Sequence, residues 1–295
     1  MTSVFNQTHP DIEFLIIDDC STDTTFEIIR HLAANRQFNR RFRKLSISRN
    51  QHNLGAHAAL NLGLESASGE FITFLNSDDA YEPARLSVLM SHYRSGDPGL
   101  LAFSAVRLID DRGRGVRNHE LKTVLEQGPA RLQARLPSMS CAFLQHQLTG
   151  STGNIFVDRK LLERVGRFAP LKYCHDWEFM LRAITLVEPC YVPETAYKYR
   201  IHAANTFASL QHLAAADTAA ALASYFQRVA NGRVLNTTAP TPQNWPHVFE
   251  MITRQFGVHD AWLREAHNRP RYASRQAALH GAVSHDWNSD ATGIS

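Results

Sequence analysis

The chain alternates short apolar runs with polar stretches of helical period. EFLIID (Glu13 to Asp18) is continuously apolar until its last residue and is bounded by THPD and DCSTDTT. That pattern predicts a strand buried on both faces. STDTTFEIIRHLAAN follows with Ser and Thr capping candidates, an early acid and apolar residues at Phe26, Ile29, Leu32 and Ala33, the signature of a helix. KLSISRN reads as a second strand, LGAHAALNLGLESA as a helix and GEFITFL as a third strand. Strands and helices in alternation predict an α/β layer with a mostly parallel sheet flanked by helices, and ligands of such sheets sit beyond the carboxyl ends of the strands.

Further along, EPARLSVLMSHYRSG reads as a helix with Pro83 in its first turn, and LLAFSAVRLID as a strand closed by the turn DRGRG. Residues 116–150 carry no clear period. GNIFVDRKLLERVGRF then gives a strand and a short helix, CHDWEFMLRAITL a helix, and CYVPETAYKYRIHAANT one or two strands. Composition changes near Thr206, where ASLQHLAAADTAAALASYFQRVA is alanine-rich and amphipathic, a helical extension that ends in the fraying tail HDWNSDATGIS. The expected division is therefore 1–205 for the α/β domain and 206–295 for the extension.

Composition narrows the function. With 295 residues, 44% hydrophobic and 20% charged, the chain is long enough for a sizeable core, and a net charge of +3 is too small to indicate a nucleic-acid binder. NRRFRK (Asn39 to Lys44) is a local basic cluster: a solvated helix end, or a contact for phosphate or an anionic membrane surface. The four cysteines form no C-x-x-C pair, so neither a zinc knuckle nor a disulfide framework is expected. No apolar run approaches the roughly 18 residues of a membrane span, and the expected location is the cytoplasm, with peripheral attachment to the inner face of the membrane as a further expectation.

Two strands end in paired acids, Asp18 with Asp19 and Asp78 with Asp79, at the place where a ligand is expected. Asn, Ser and Asp behind a strand also serve simply to start a turn. The order of the polar blocks decides between these readings. NQTHPDIEFLIIDDCSTDTT, NLGAHAALNLGLESASGEFITFLNSDDAYEP, GNIFVDRKLLERVGRF, HDWEFMLRA and YKYRIHAAN, in that order, closely resemble the family 2 glycosyltransferases, inverting enzymes of the GT-A fold that use nucleotide sugars. The resemblance runs from about Ser3 to about Asn205.

It implies that Asp19 sits by the nucleotide base, and that Asp78 and Asp79 hold the ribose and a divalent metal, Mn²⁺ or Mg²⁺, bridging the diphosphate. Asp79 and His202 would be the metal contacts, and Asp176 the base that deprotonates an acceptor hydroxyl. Carboxylates bind a diphosphate only through a cation, and an alcohol attacking a sugar carbon must lose its proton. The implied partners are a nucleotide-diphosphate sugar and a glycan, lipid or protein acceptor.

The chain departs from the family pattern in two places. Asn76 replaces the first carboxylate of the usual four-residue motif. The apolar strand that normally precedes a helix ending in NQT is missing, because Met1 falls inside that helix. The loss implies an open sheet edge, a weakened nucleotide pocket, and either poor solubility or dimerisation through that edge. A non-catalytic nucleotide-sugar-binding remnant, acting as a partner module, is the alternative to an active enzyme.

Overall fold

A computed structural model describes residues 1–117, 119–202, 205 and 210–260. The proposed division at residue 205 falls beside undescribed positions, and the tail 285–295 lies outside the described residues.

The strands are β1 (Glu13–Asp18), β2 (Lys44–Arg49), β3 (Phe71–Thr73), β4 (Ala80–Tyr81), β5 (Leu101–Ile109), β6 (Phe156–Asp158) and β7 (Cys190–Arg200). Among the helices, α1 (Thr2–Phe5), α2 (Thr25–Ala34), α3 (Arg36–Arg40) and α4 (Ala56–Ser66) surround the first two strands in sequence. After them come α5 (Arg85–Met90), α6 (Gly128–Arg135), α7 (Met139–Gln145), α8 (Arg159–Val165), α9 (His175–Ala183), α10 (Ala214–Ala230) and α11 (Pro246–Gln255).

The α/β class expected from the sequence holds, with a sheet more mixed in direction than the alternation alone suggests. β1 and β2 form a parallel pair of their own, in register from Glu13 opposite Lys44 to Asp18 opposite Arg49. The other five strands form a mixed sheet in the order β3-β6-β5-β7-β4, in which only β5 and β7 run parallel. The physical reason is burial. β6 is fully buried and β5 is buried except at Arg107, so both are continuously apolar whatever their direction. β1 is likewise not buried on both faces: five of its six residues are half-buried. Among the described residues, β1 and β3 each pair with one strand only.

Within the segment 116–150 a π-helical turn over Lys122–Glu126 is followed by α6 and α7. Its period is illegible because the helices are short and every residue from Met139 to Leu144 is buried, leaving no polar face to mark the repeat. Pro83 precedes the helix rather than opening it, since Ala84 is the N-cap of α5.

The main core joins Phe103, Phe143 and Phe179 to Tyr225 and Phe226 of α10 and Phe249 and Ile252 of α11. Ala221, Leu222, Tyr225, Phe226 and Val229 recur at helical spacing and turn one stripe of α10 onto α9. Each such aromatic or aliphatic side chain contributes roughly 1.5–3 kcal/mol by leaving water. Glu188 ties the following loop to the same core, accepting from Met139 N–H (2.6 Å), Ser140 Oγ (2.5 Å) and Thr238 Oγ1 (2.7 Å).

In the basic cluster, Arg40, Arg43 and Lys44 are exposed. Arg41 instead clasps the N-terminal segment through the carbonyls of Phe5, Gln7, His9 and Pro10. Among the described residues, no helix is long and apolar enough to cross a membrane.

Candidate active site

At the carboxyl end of β1 the two acids take different tasks. Asp18 is buried, with Arg49 Nε at 3.0 Å and Ser21 donating both its N–H and its hydroxyl. The chain then turns through Cys20 at φ +66°, a left-handed conformation that is uncommon outside glycine. Asp19 reaches across to the loop before α4. It accepts from Asn50 Nδ2 (2.7 Å), Leu54 N–H (2.9 Å) and Gly55 N–H (2.7 Å). Burial alone would raise its carboxyl, but these three donors outweigh it and hold the group below the usual carboxylate range. Both Asp19 oxygens are thus engaged by the protein.

The second acidic pair lies in the turn between β3 and β4. Because β4 pairs with β7, Ala80 opposite Lys198 and Tyr81 opposite Tyr197, this turn sits beside the carboxyl end of β7. Asp78 is half-buried, and its Oδ2 lies 3.0 Å from His202 Nε2. Asp79 points the other way. It is buried, its Oδ2 accepts from Tyr197 O–H (2.5 Å) and Ser151 O–H (3.3 Å), and its Oδ1 accepts from Arg200 N–H (2.8 Å). Burial pushes its carboxyl up to about 6; the Asp78 charge adds to that push, while the Tyr197, Arg200 and Ser151 donors oppose it. In this geometry both Asp79 oxygens already accept hydrogen bonds inside the protein, and Asp78 presents the more accessible carboxylate of the pair.

Asp176 lies in the first turn of α9, where the helix N-terminus favours a negative charge. It is half-buried and accepts from the N–H of Trp177. Trp177 itself faces inward, donating from Nε1 to Phe143 C=O at 2.8 Å, and belongs to the core rather than to an open surface.

Two residues show that these elements converge. The Tyr199 phenol is pushed up to about 12, first by burial and then by the charges of Asp79, Asp78 and Asp176, which places α9 and the β3–β4 turn within electrostatic reach of one side chain. His57 of α4 is lowered by burial, then by His175, against the opposing effect of Asp19, so the β1 and α9 ends also share a neighbourhood. Asp78, paired with His202, and Asp176 thus lie within electrostatic reach of Tyr199, and Asp19 and His175 within reach of His57, while Asp79 points inward; this neighbourhood is the candidate mouth of the site. Sequence reasoning missed Tyr197, Ser151, Arg200 and His57. The i, i+2 spacing of Tyr197 and Tyr199 in AYKYR, which puts both rings on one face of β7, was the available signal for the first.

The donor set can be tested against a divalent cation. Asp78 supplies carboxylate oxygen and His202 imidazole nitrogen, both on half-exposed side chains. Among the described residues no group of three or more His, Cys, Asp or Glu could hold a metal by itself. With one imidazole in it, such a pair fits Mn²⁺ better than the oxygen-preferring Mg²⁺, the remaining ligands coming from phosphate and water.

Comparison with known proteins agrees with this architecture. The sequence model of the family described as glycosyl transferase family 2 matches residues 1–166, more than half of the chain. An uncharacterized glycosyltransferase of Haemophilus influenzae is 24% identical over 218 residues, 72% of this chain and 63% of its own length, so the match spans less than two thirds of that relative. Among solved structures, the mannosyltransferase PcManGT from Pyrobaculum calidifontis in complex with GDP-Man and Mn²⁺ is similar with a TM-score of 0.55 and 16% identity, over 97% of this chain and 75% of that one. S. aureus TarS 1–349 in complex with UDP-GlcNAc is similar with a TM-score of 0.50 and 17% identity, over 96% of this chain and 88% of that one. At these identities the structural likeness concerns the GT-A fold.

Proposed function

The chain belongs to glycosyl transferase family 2, and from that premise we propose that it moves a sugar from a nucleotide-diphosphate donor to an acceptor hydroxyl with inversion at the sugar carbon. The observation that carries the proposal is the pairing of Asp78 with His202, 124 residues apart in sequence, at the common carboxyl end of β3 and β7. The mannosyltransferase neighbour binds its donor with Mn²⁺, and Asp78 and His202 are the residues that would hold Mn²⁺ or Mg²⁺ here. Such a cation, when bound, offsets the diphosphate charge and stabilises it as the leaving group.

Asp19 orders the loop that opens α4 and so shapes the donor side of the mouth. Asp176 accepts the proton of the acceptor hydroxyl as the hydroxyl oxygen attacks the sugar carbon from the face opposite the diphosphate. Direct displacement from that face is what inverts the anomeric centre. The acceptor class, glycan, lipid or protein, is left to the assay.

A second reading, a nucleotide-sugar-binding module without turnover, is favoured by one observation: the β1–β2 pair is not hydrogen-bonded to the five-stranded sheet. Release of UDP or GDP from a panel of nucleotide sugars, with Mn²⁺ and a mixture of candidate acceptors, separates the two. Turnover that falls roughly 10²-fold or more in Asp176→Asn, with donor affinity kept, supports the transferase. Donor binding with no release from any member of the panel supports the module.

A further inference from the structure

Arg85, the first residue of α5, is fully buried. Among the described residues no carboxylate lies within ion-pair distance of it. Its guanidinium donates to Ser104 Oγ (2.8 Å), Asn154 Oδ1 (3.0 Å) and the Asn154 carbonyl (3.1 Å), and its Nε has no partner. A buried cation supported only by neutral acceptors is costly unless other negative density faces it. That density is aromatic: the guanidinium carbon lies 4.6 Å from the ring centroid of Tyr81 and 5.3 Å from that of Tyr197.

Tyr197 carries the arrangement onward. Its ring faces Arg85, and its hydroxyl donates to Asp79 Oδ2 at 2.5 Å. The hydroxyl also lies 3.0 Å from Ser151 Oγ, which in turn accepts from Asn76 Nδ2 at 3.0 Å. Space for it is provided by Gly153, where an added Cβ would fall 2.1 Å from the Tyr197 oxygen. Tyr197 is fully buried, so it cannot swing aside.

The consequence falls on the neighbouring residue. With Asp79 held by Tyr197 and by Arg200 N–H, and the Asp78 carbonyl held by Arg200 Nε at 2.7 Å, the backbone of the turn is fixed on the C-terminal side of Asp78. From that anchored backbone the Asp78 side chain points to His202, whose Nε2 lies 3.0 Å from its Oδ2.

We propose that Tyr197 is a positioning residue for Asp78, acting through Asp79, with Arg85 as the buried counter-charge behind it. The proposal rests on the reading of Asp78 as the residue that binds the metal–diphosphate. A surface carboxylate on a short turn would otherwise sample several rotamers, and a site that must meet both a cation and a diphosphate gains affinity by having that choice removed in advance.

The test is calorimetry with UDP and GDP, each with Mn²⁺ and with chelator, on the unaltered chain, Asp78→Asn, Tyr197→Phe, Asp79→Asn and the double variant Tyr197→Phe/Asp79→Asn. Tyr197→Phe removes one oxygen and keeps the ring over Arg85, so the fold survives. It is expected to weaken Mn²⁺-dependent binding about tenfold, the size of one hydrogen bond to a charged group, while binding in chelator stays unchanged. Because Tyr197 acts through Asp79, the double variant is expected to bind no more weakly than Asp79→Asn alone. Asp78→Asn is expected to abolish the metal-dependent part. Loss in Asp78→Asn with full affinity in Tyr197→Phe overturns the positioning role and leaves the site reading intact, as do losses that multiply in the double variant. Full affinity in Asp78→Asn, or no binding of either nucleotide to the unaltered chain, overturns the site reading and the proposal with it.

Discussion

Asp19 is the residue whose role the family resemblance and the structure describe differently, and its replacement by alanine separates the two. The resemblance implies a carboxylate beside the nucleotide base. In the structure its oxygens are taken by Asn50, Leu54 and Gly55, immediately before α4. The Gly55 N-cap has no side-chain acceptor of its own, so Asp19 caps this helix from a distance. Hydrogen bonds to a charged group are worth about 1.5–3 kcal/mol each, and loss of a cap costs about 0.5–2 kcal/mol. Gln51 to Leu54 are exposed, and water takes over the released donors, so the low end applies: about 2–3 kcal/mol in total for Asp19→Ala, a large part of a typical 5–15 kcal/mol. Asp19→Asn keeps one acceptor oxygen and loses the charge, and is expected to cost about half as much. Urea unfolding followed by circular dichroism reads both, as a shift of midpoint at constant slope. An unchanged midpoint in Asp19→Ala, together with lost nucleotide affinity, would refute the capping role and return Asp19 to the base.

Two further outcomes follow from the site's geometry. Trp177→Ala is expected to cost about 3–5 kcal/mol in urea unfolding, because the ring is buried and its N–H satisfies Phe143 C=O; unchanged stability with loss of acceptor use would make it a sugar platform instead. Asp79, with its carboxyl raised to about 6, binds a proton in the folded chain that the unfolded chain has already released above the ordinary carboxyl range. Its contribution therefore makes stability fall as pH rises from about 4 to about 6, by about 3 kcal/mol in full. Asp79→Asn should remove that fall, so unfolding midpoints at pH 4.5 and pH 7 should differ between the two proteins in that sense; identical pH dependence would contradict the assignment.

Much of the fold was legible because its elements are local. Apolar runs between turn residues located β1, β2 and β5, and the helical period located α2, α4, α9 and α10. Strand direction was not legible, since β6 is as apolar as a parallel strand while running antiparallel to both neighbours. The paired acids were visible as ligand candidates. Which of Asp78 and Asp79 faces outward depended on Tyr197 and Arg200, more than a hundred residues away. Arg85 illustrates the same limit: nothing within EPARLSV marks it as buried, and only the long-range pairing of β4 with β7 brings two tyrosine rings onto it. The His202 contact was recoverable from the resemblance, which placed it near the metal, although its partner is Asp78 rather than Asp79.

The central claim is that Asp78 and His202 hold the cation that binds the donor diphosphate, with Asp79 turned inward to support them. Anomalous diffraction at the manganese edge, from crystals grown with Mn²⁺ and whichever of UDP or GDP binds, tests it most directly. The account requires a manganese peak within coordination distance of an Asp78 oxygen and His202 Nε2, with Asp79 still bonded to Tyr197. A peak on Asp79, or a bound nucleotide diphosphate with manganese contacting neither Asp78 nor His202, would contradict it.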